Sequence, residues 1–174
     1  HVVEMKGYAP SEGPGFGWPV AERPWVNPSP NAASLNMARA YGGSVMLEGT
    51  TLSEGRGTTR ALEVIGAPDL NANDVIAEMQ RLAPHWLRGC KLRPAWFEPT
   101  FHKHAHTLCE GFQIHAELGF FDPDVFTSWR VTALAFKAIR NLYPDYPLWR
   151  GLDFKYGYTE GHPAIDIIHG PDEV

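Results

Sequence analysis

The densest chemistry in this 174-residue chain lies at residues 48–59, EGTTLSEGRGTT. These residues hold two carboxylates, one guanidinium, five hydroxyls and three glycines. Carboxylates and hydroxyls match the donors and acceptors of a sugar. A guanidinium grips a carboxylate or phosphate through a two-pronged fork. Glycines let backbone N–H groups come close to a ligand. The loop is therefore a candidate ligand site, with Arg56, Ser53, Thr58 and Thr59 as binding groups and Glu48 and Glu54 as its carboxylates. An ordinary polar turn network would use the same residue types. A phosphate loop is excluded, because no GxxxxGK[ST] string is present.

Residues 101–106 read FHKHAH. His102, His104 and His106 would share one face of an extended strand, which is a metal-site pattern. No Cys or Asp pair sits elsewhere at a matching spacing. A solvated polar loop is the plainer reading, and neither a metal nor another cofactor is expected. His115, in Gln113-Ile114-His115, falls on the polar side of an alternating strand. It either reaches a cleft or is a hydrogen-bonded core histidine. Residues 25–31 read WVNPSPN. Two prolines stiffen this stretch, and Asn27, Ser29 and Asn31 present polar groups. Asn31 is a candidate binding residue, or else the cap of the helix that follows. Six Trp and six Tyr offer rings for stacking on sugars, although aromatics mostly fill cores and rims.

The rest of the composition narrows the classes. The formal net charge is −5, and Lys and Arg nowhere cluster, which argues against nucleic acid. No apolar run approaches the roughly 20 residues that a membrane helix needs, so membrane insertion is not expected. A hydrophobic share of 44% supports a packed core. The length suits one domain. Cys90 and Cys109 either pair or stay as buried thiols, and unpaired Cys ordinarily behaves as a small hydrophobe. The chain begins at His1 in a strand-like stretch. It reads as part of a longer polypeptide whose export signal, if any, would precede it.

The elements that must position these groups follow from periodicity and punctuation. Residues 1–6 read as a strand. Residues 7–33 read as an ordered Gly/Pro loop carrying Phe16, Trp18, Trp25 and Val26. A helix at 33–41, capped by Asn31 or Ser34, should end at Gly42-Gly43. A buried strand at 44–47 should then feed the polar loop. A helical turn is expected at 61–65, and a helix from Asn71 or Asn73 to Leu82. Strands are expected at 92–97 and 111–118. The longest helix, capped by Asp122, should cover 123–143. A short apolar element closes the chain at 164–170. Helices and strands mix without strict alternation. That favours a single α+β domain over residues 1–174, a mixed sheet with packed helices.

Five strings also occur in a telling order: WVNPSPN at 25–31, LEGTTLSEGRGTT at 47–59, GAP at 66–68, PTFHK at 99–103 and CEGFQIH at 109–115. Together they resemble the exo-β-N-acetylmuramidase family, peptidoglycan-fragment glycosidases long catalogued as a domain of unknown function. The resemblance spans nearly the whole chain. It implies release of N-acetylmuramic acid from the non-reducing end of peptidoglycan fragments. It implies a Rossmann-like N-terminal lobe in the same polypeptide, an active site in the cleft between the lobes, and a periplasmic or extracellular location. These 174 residues alone would then be inactive. Glycoside hydrolysis typically uses two carboxyl groups, and the resemblance makes Glu48 and Glu54 this lobe's candidates. It gives Arg56 the lactyl carboxylate of muramic acid, or the orienting of a catalytic carboxylate; a buried salt bridge from Arg56 to Glu48 or Glu54 that pins the loop is the alternative. Thr51 stands where the family pattern has Asn, and Arg60-Ala61-Leu62 where Pro-Phe is usual. His106 and Glu110 replace glycines. A carbohydrate-binding module without catalysis, and a metal-dependent hydrolase using FHKHAH, are the competing readings.

Overall fold

The computed structural model describes residues 1–3, 6, 23–117, 119–151 and 163–169. Helix α1 (Leu35–Ser44) starts after Ser34, whose hydroxyl accepts a hydrogen bond from the Met37 N–H at 2.9 Å. Ser34 rather than Asn31 is thus the cap. The helix does not stop at Gly42-Gly43. It runs through both glycines and tightens into a 3-10 turn over Val45–Gly49. The buried strand expected at 44–47 is absent, so the polar loop is entered from a helix end. The reason is helix packing. A Cβ at Gly43 would stand 2.2 Å from the backbone oxygen of Ser128, so glycine lets two helices touch backbone to backbone. That contact outweighs glycine's helix penalty of about 1 kcal/mol.

Strand β1 (Val64–Ala67) is buried throughout. It replaces the helical turn expected at 61–65, because a fully buried Val-Ile pair packs well in a pleated strand. Helix α2 (Ala72–Leu82) begins at Asn71, whose side chain accepts from the Asp74 N–H at 3.0 Å. Val75 and Met79 are buried on one face of it, as the spacing predicts. Strand β2 (Lys91–Phe97) and strand β3 (Cys109–His115) follow. The sheet order is β1-β3-β2 and both pairings are antiparallel, which corrects the mixed sheet expected. The chain crosses from β1 to β2 through α2, and β3 slots between them, antiparallel to both.

The central place of β3 buries both of its faces. Phe112 and Ile114 join the core with Ile65, Val75, Met79 and Ile139. On the other face Gln113 is also buried. The strand covers Cys109–His115 rather than 111–118. Helix α3 (Ser128–Leu142) begins five residues later than expected. Asp122 starts a turn instead, its side chain accepting from the Asp124 N–H and its carbonyl from the Phe126 N–H. Helix α4 (Ala164–His169) packs at Gly49, where a Cβ would lie 3.0 Å from the Ile165 Cα.

Cys90 and Cys109 are both free thiols. No strand forms at residues 1–3 or 6, and Val2 and Val3 are exposed. Residues 7–22 of the loop expected at 7–33, and residues 4, 5, 118, 152–162 and 170–174, lie outside the described residues. Among the described residues no helix is long and apolar enough to cross a membrane.

Candidate functional site

Backbone hydrogen bonds close the polar loop. Ser53 and Gly66 exchange N–H···O bonds at 2.8 and 3.1 Å, fastening the loop to β1. The Leu62 N–H donates to the Glu54 carbonyl at 2.7 Å and shuts the far end. Inside, the Ser53 hydroxyl accepts from the Gly55 N–H, and the Thr58 hydroxyl donates to the Gly55 carbonyl. Gly55 and Gly57 have φ of +70° and +80°, a region that glycine enters at no steric cost. Cβ atoms there would strike Val64 and Thr100. The two glycines therefore fold the loop tightly onto neighbouring elements, and Ser53 and Thr58 spend their hydroxyls on its shape. Thr59 is exposed.

The three charged groups of the loop meet. Arg56 donates through Nε to Glu54 Oε1 at 2.8 Å and through Nη2 to Glu48 Oε1 at 3.2 Å. Arg56 and Glu48 each keep 19% side-chain exposure, whereas Glu54 keeps none. Lys103, itself deeply buried, lies 2.8 Å from Glu54 Oε2. Burial pushes the Glu54 carboxyl up, but the charge of Lys103 and hydrogen bonds from Lys103 and Arg56 outweigh it. They hold the group below the usual carboxylate range. His102 Nδ1 is 3.6 Å from Glu54 Oε1. Burial pulls its imidazole down against the attraction of Glu54.

Residues 101–106 are neither an extended strand nor a metal set. They form a turn in which His102, His104 and His106 all take positive φ, between +55° and +70°. The three rings cannot line one face. Among the described residues no group of three His, Cys, Asp or Glu is placed to hold a metal. The turn instead sends Lys103 inward to the Leu47 and Thr50 carbonyls at 2.7 and 3.4 Å. His104 Nε2 lies 2.8 Å from the Thr51 oxygen. Sequence reasoning missed this lysine. Its signal was a lone cation inside the PTFHK string, read there only as part of a resemblance.

A pocket of about 430 Å³ opens beside Glu48 and Arg56, lined also by Trp25, Pro28, Ser29, Ala32, Met37, Ala38, Tyr41 and Leu62. The WVNPSPN stretch, α1 and the polar loop thus converge, and aromatic, aliphatic and charged side chains line one opening. Trp25 is fixed by its indole N–H donating to the Ala32 carbonyl at 2.9 Å. Asn31 is half-buried next to the lining residues. His115 stands elsewhere. Its Nδ1 faces Glu117 Oε1 at 2.9 Å, and its Nε2 accepts from Arg93 Nε at 3.3 Å.

A second buried carboxylate also escaped the sequence reading. Glu63 is held by Ser34, Asn36, Gln113 and Arg60. It ties the start of α1 to β3. A lone Glu in the apolar run Ala61-Leu62-Glu63-Val64-Ile65 was the available signal, since a buried carboxylate must be paired.

The family described as "Exo-beta-N-acetylmuramidase NamZ, C-terminal" matches residues 39–174. The chain belongs to this family. Glu48, Glu54, Arg56 and Lys103 all fall within the matched residues, while Trp25 and Ser29 precede them. The "Peptidoglycan beta-N-acetylmuramidase NamZ" of Bacillus subtilis is 38% identical over 122 residues, which cover 70% of this chain. The match spans 28% of that relative's length. Two crystal structures of DUF1343 family proteins from Bacteroides fragilis share the fold. One has a TM-score of 0.61 at 22% identity, covering 71% of this chain and 30% of its own. The other has a TM-score of 0.52 at 20% identity, with coverage of 84% and 33%. The family match agrees with the resemblance carried by the five sequence strings.

Proposed function

We propose that this chain is the C-terminal lobe of an exo-acting β-N-acetylmuramidase that removes N-acetylmuramic acid from the non-reducing end of peptidoglycan fragments. The observation that carries the reading is the ion pair of Glu48 and Arg56 on the wall of a pocket of about 430 Å³ that Trp25 and Tyr41 also line. That volume falls in the range of small-ligand sites, about 300–1,000 Å³. Muramic acid differs from other hexosamines by an ether-linked lactyl carboxylate, and Arg56 is the cation on the pocket wall to receive it. Trp25 and Tyr41 offer faces for the sugar ring. Ser29 and the neighbouring Asn31 would meet groups at the rim.

Glu48 is the pocket's carboxylate, placed to bind a sugar hydroxyl or to support catalysis. Glu54 is sealed from solvent and acts through Arg56. Two carboxyl groups are the usual requirement of this chemistry, so the second comes from a Rossmann-like N-terminal lobe across the cleft. The relatives leave room for it, since each extends well beyond the matched part. Periplasmic or extracellular action goes with a peptidoglycan substrate.

The sealing of Glu54 also favours a second reading, a muropeptide-binding module without catalysis. Incubating the full-length polypeptide with a muramyl-glucosamine disaccharide separates them. Released muramic acid supports the glycosidase. Binding without release selects the module, and neither binding nor release overturns both.

A further inference from the structure

We infer that Lys103 sets the charge of this pocket: by neutralising Glu54 from the protein side it frees Arg56 to take an anionic sugar. The inference rests on the proposed muramyl pocket and assigns it a positioning residue. Four charges form one connected cluster. Glu54 is bracketed by Arg56 Nε on one oxygen and Lys103 Nζ on the other, each at 2.8 Å, and Glu48 meets the far side of Arg56 at 3.2 Å. Arg150 adds its charge nearby, acting on both Lys103 and His102. Removing the ammonium takes one positive charge from the cluster and leaves Glu54 with Arg56 on one oxygen and no cation on the other. A ligand carboxylate would then meet a wall one charge more negative, where partial burial leaves little screening.

Lys103 cannot touch the ligand itself. Its side chain is only 7% exposed. An ammonium has three donors, and here three acceptors surround it: Glu54 Oε2, the Leu47 carbonyl and the Thr50 carbonyl. The charge is thus fixed in place on the protein side of Glu54. The backbone around it is built for that aim. His102 and His104 flank it at positive φ, which non-glycine residues adopt at a cost of about 1–2 kcal/mol each. His104 clamps the turn to the Thr51 oxygen. Metal binding gives no account of this histidine-rich turn, whereas delivery of one buried ammonium does.

The test compares a chromogenic muramyl glycoside carrying the free lactyl acid with its neutral lactyl methyl ester, in the full-length polypeptide. The readout is the ratio of the two KM values. Lys103→Met raises KM for the acid on the order of tenfold, equivalent to about 1.4 kcal/mol, and leaves the ester nearly unchanged. Glu54→Gln removes one negative charge from the cluster and shifts the ratio the opposite way. The double variant Glu54→Gln/Lys103→Met removes both charges and restores the wild-type ratio. Should Lys103→Met fail to fold, Lys103→Gln makes the same charge change while keeping donors for the carbonyls. A purely structural lysine would move acid and ester together, and a ratio unmoved by the single variants overturns the inference. If the wild type does not prefer acid to ester, or prefers it without Arg56, the muramyl-pocket reading itself fails.

Discussion

Lys103 Nζ and Glu54 Oε2 lie 2.8 Å apart at the junction of two loops, with almost no solvent on either side chain. The pair joins the turn at 101–106 to the loop at 48–59. It also backs Arg56, the group that meets the pocket.

Glu54→Gln should therefore cost stability, about 3–5 kcal/mol, because it strands a buried ammonium. Urea unfolding at neutral pH measures this. The pH dependence has a definite sign. A carboxyl held below its ordinary value of 4.5 stabilises the fold above that pH and loses the contribution as pH falls through its folded value. Wild-type stability should drop below pH 4.5 more steeply than that of the variant.

Gly43→Ala and Gly42→Ala should differ in sign. At Gly43 the new methyl meets the Ser128 backbone at 2.2 Å, which cannot yield locally. A loss of about 1–3 kcal/mol is expected from such overpacking. At Gly42 the neighbour is the Ser128 hydroxyl at 2.9 Å, which can rotate away. There alanine's better helix propensity, up to about 1 kcal/mol, leaves the protein unchanged or more stable. Thermal unfolding of the two variants decides.

His106 has φ of +60° and an exposed side chain. The resemblance gives glycine at this position, and the backbone explains why. His106→Gly should raise Tm, with a gain of about 1 kcal/mol from relieved backbone strain. An unchanged or lower Tm would show that the imidazole makes a contribution of its own.

The thiols should be slow to react. Burial pushes Cys90 up to about 12 and Cys109 up to about 11, so neither carries much thiolate at pH 8. A chromogenic disulfide reagent should report little reaction in the native protein and fast reaction of both thiols in denaturant. A native burst would contradict this.

The sequence made some of this legible and hid the rest for identifiable reasons. Asn71 and the 3–4 spacing after it announced α2, and alternation announced the central strand β3. The polar loop was found because its residue types are dense. Gly42-Gly43 misled, since glycine's propensity argues for a helix end while close contact with Ser128 argues for a helix interior. A strand expected after the pair vanished with it. Lys103 and Glu63 were missed because burial of a charge depends on partners distant in sequence. Glu54 lies 49 positions before Lys103, and Gln113 lies 50 after Glu63. The pocket combined two stretches weighed separately, and only the fold of α1 brings Trp25 and Arg56 to one opening.

The pocket's role is tested most directly by the kinetics of Arg56→Ala in the full-length polypeptide on a muramyl substrate. KM should rise by about 30-fold or more, in line with the 2–5 kcal/mol cost of truncating one partner of a buried hydrogen-bonded charge pair. The fall in kcat should be smaller, because the lactyl group is bound alike in ground and transition states. An Arg56→Ala enzyme with wild-type KM would place the anionic sugar somewhere other than this pocket.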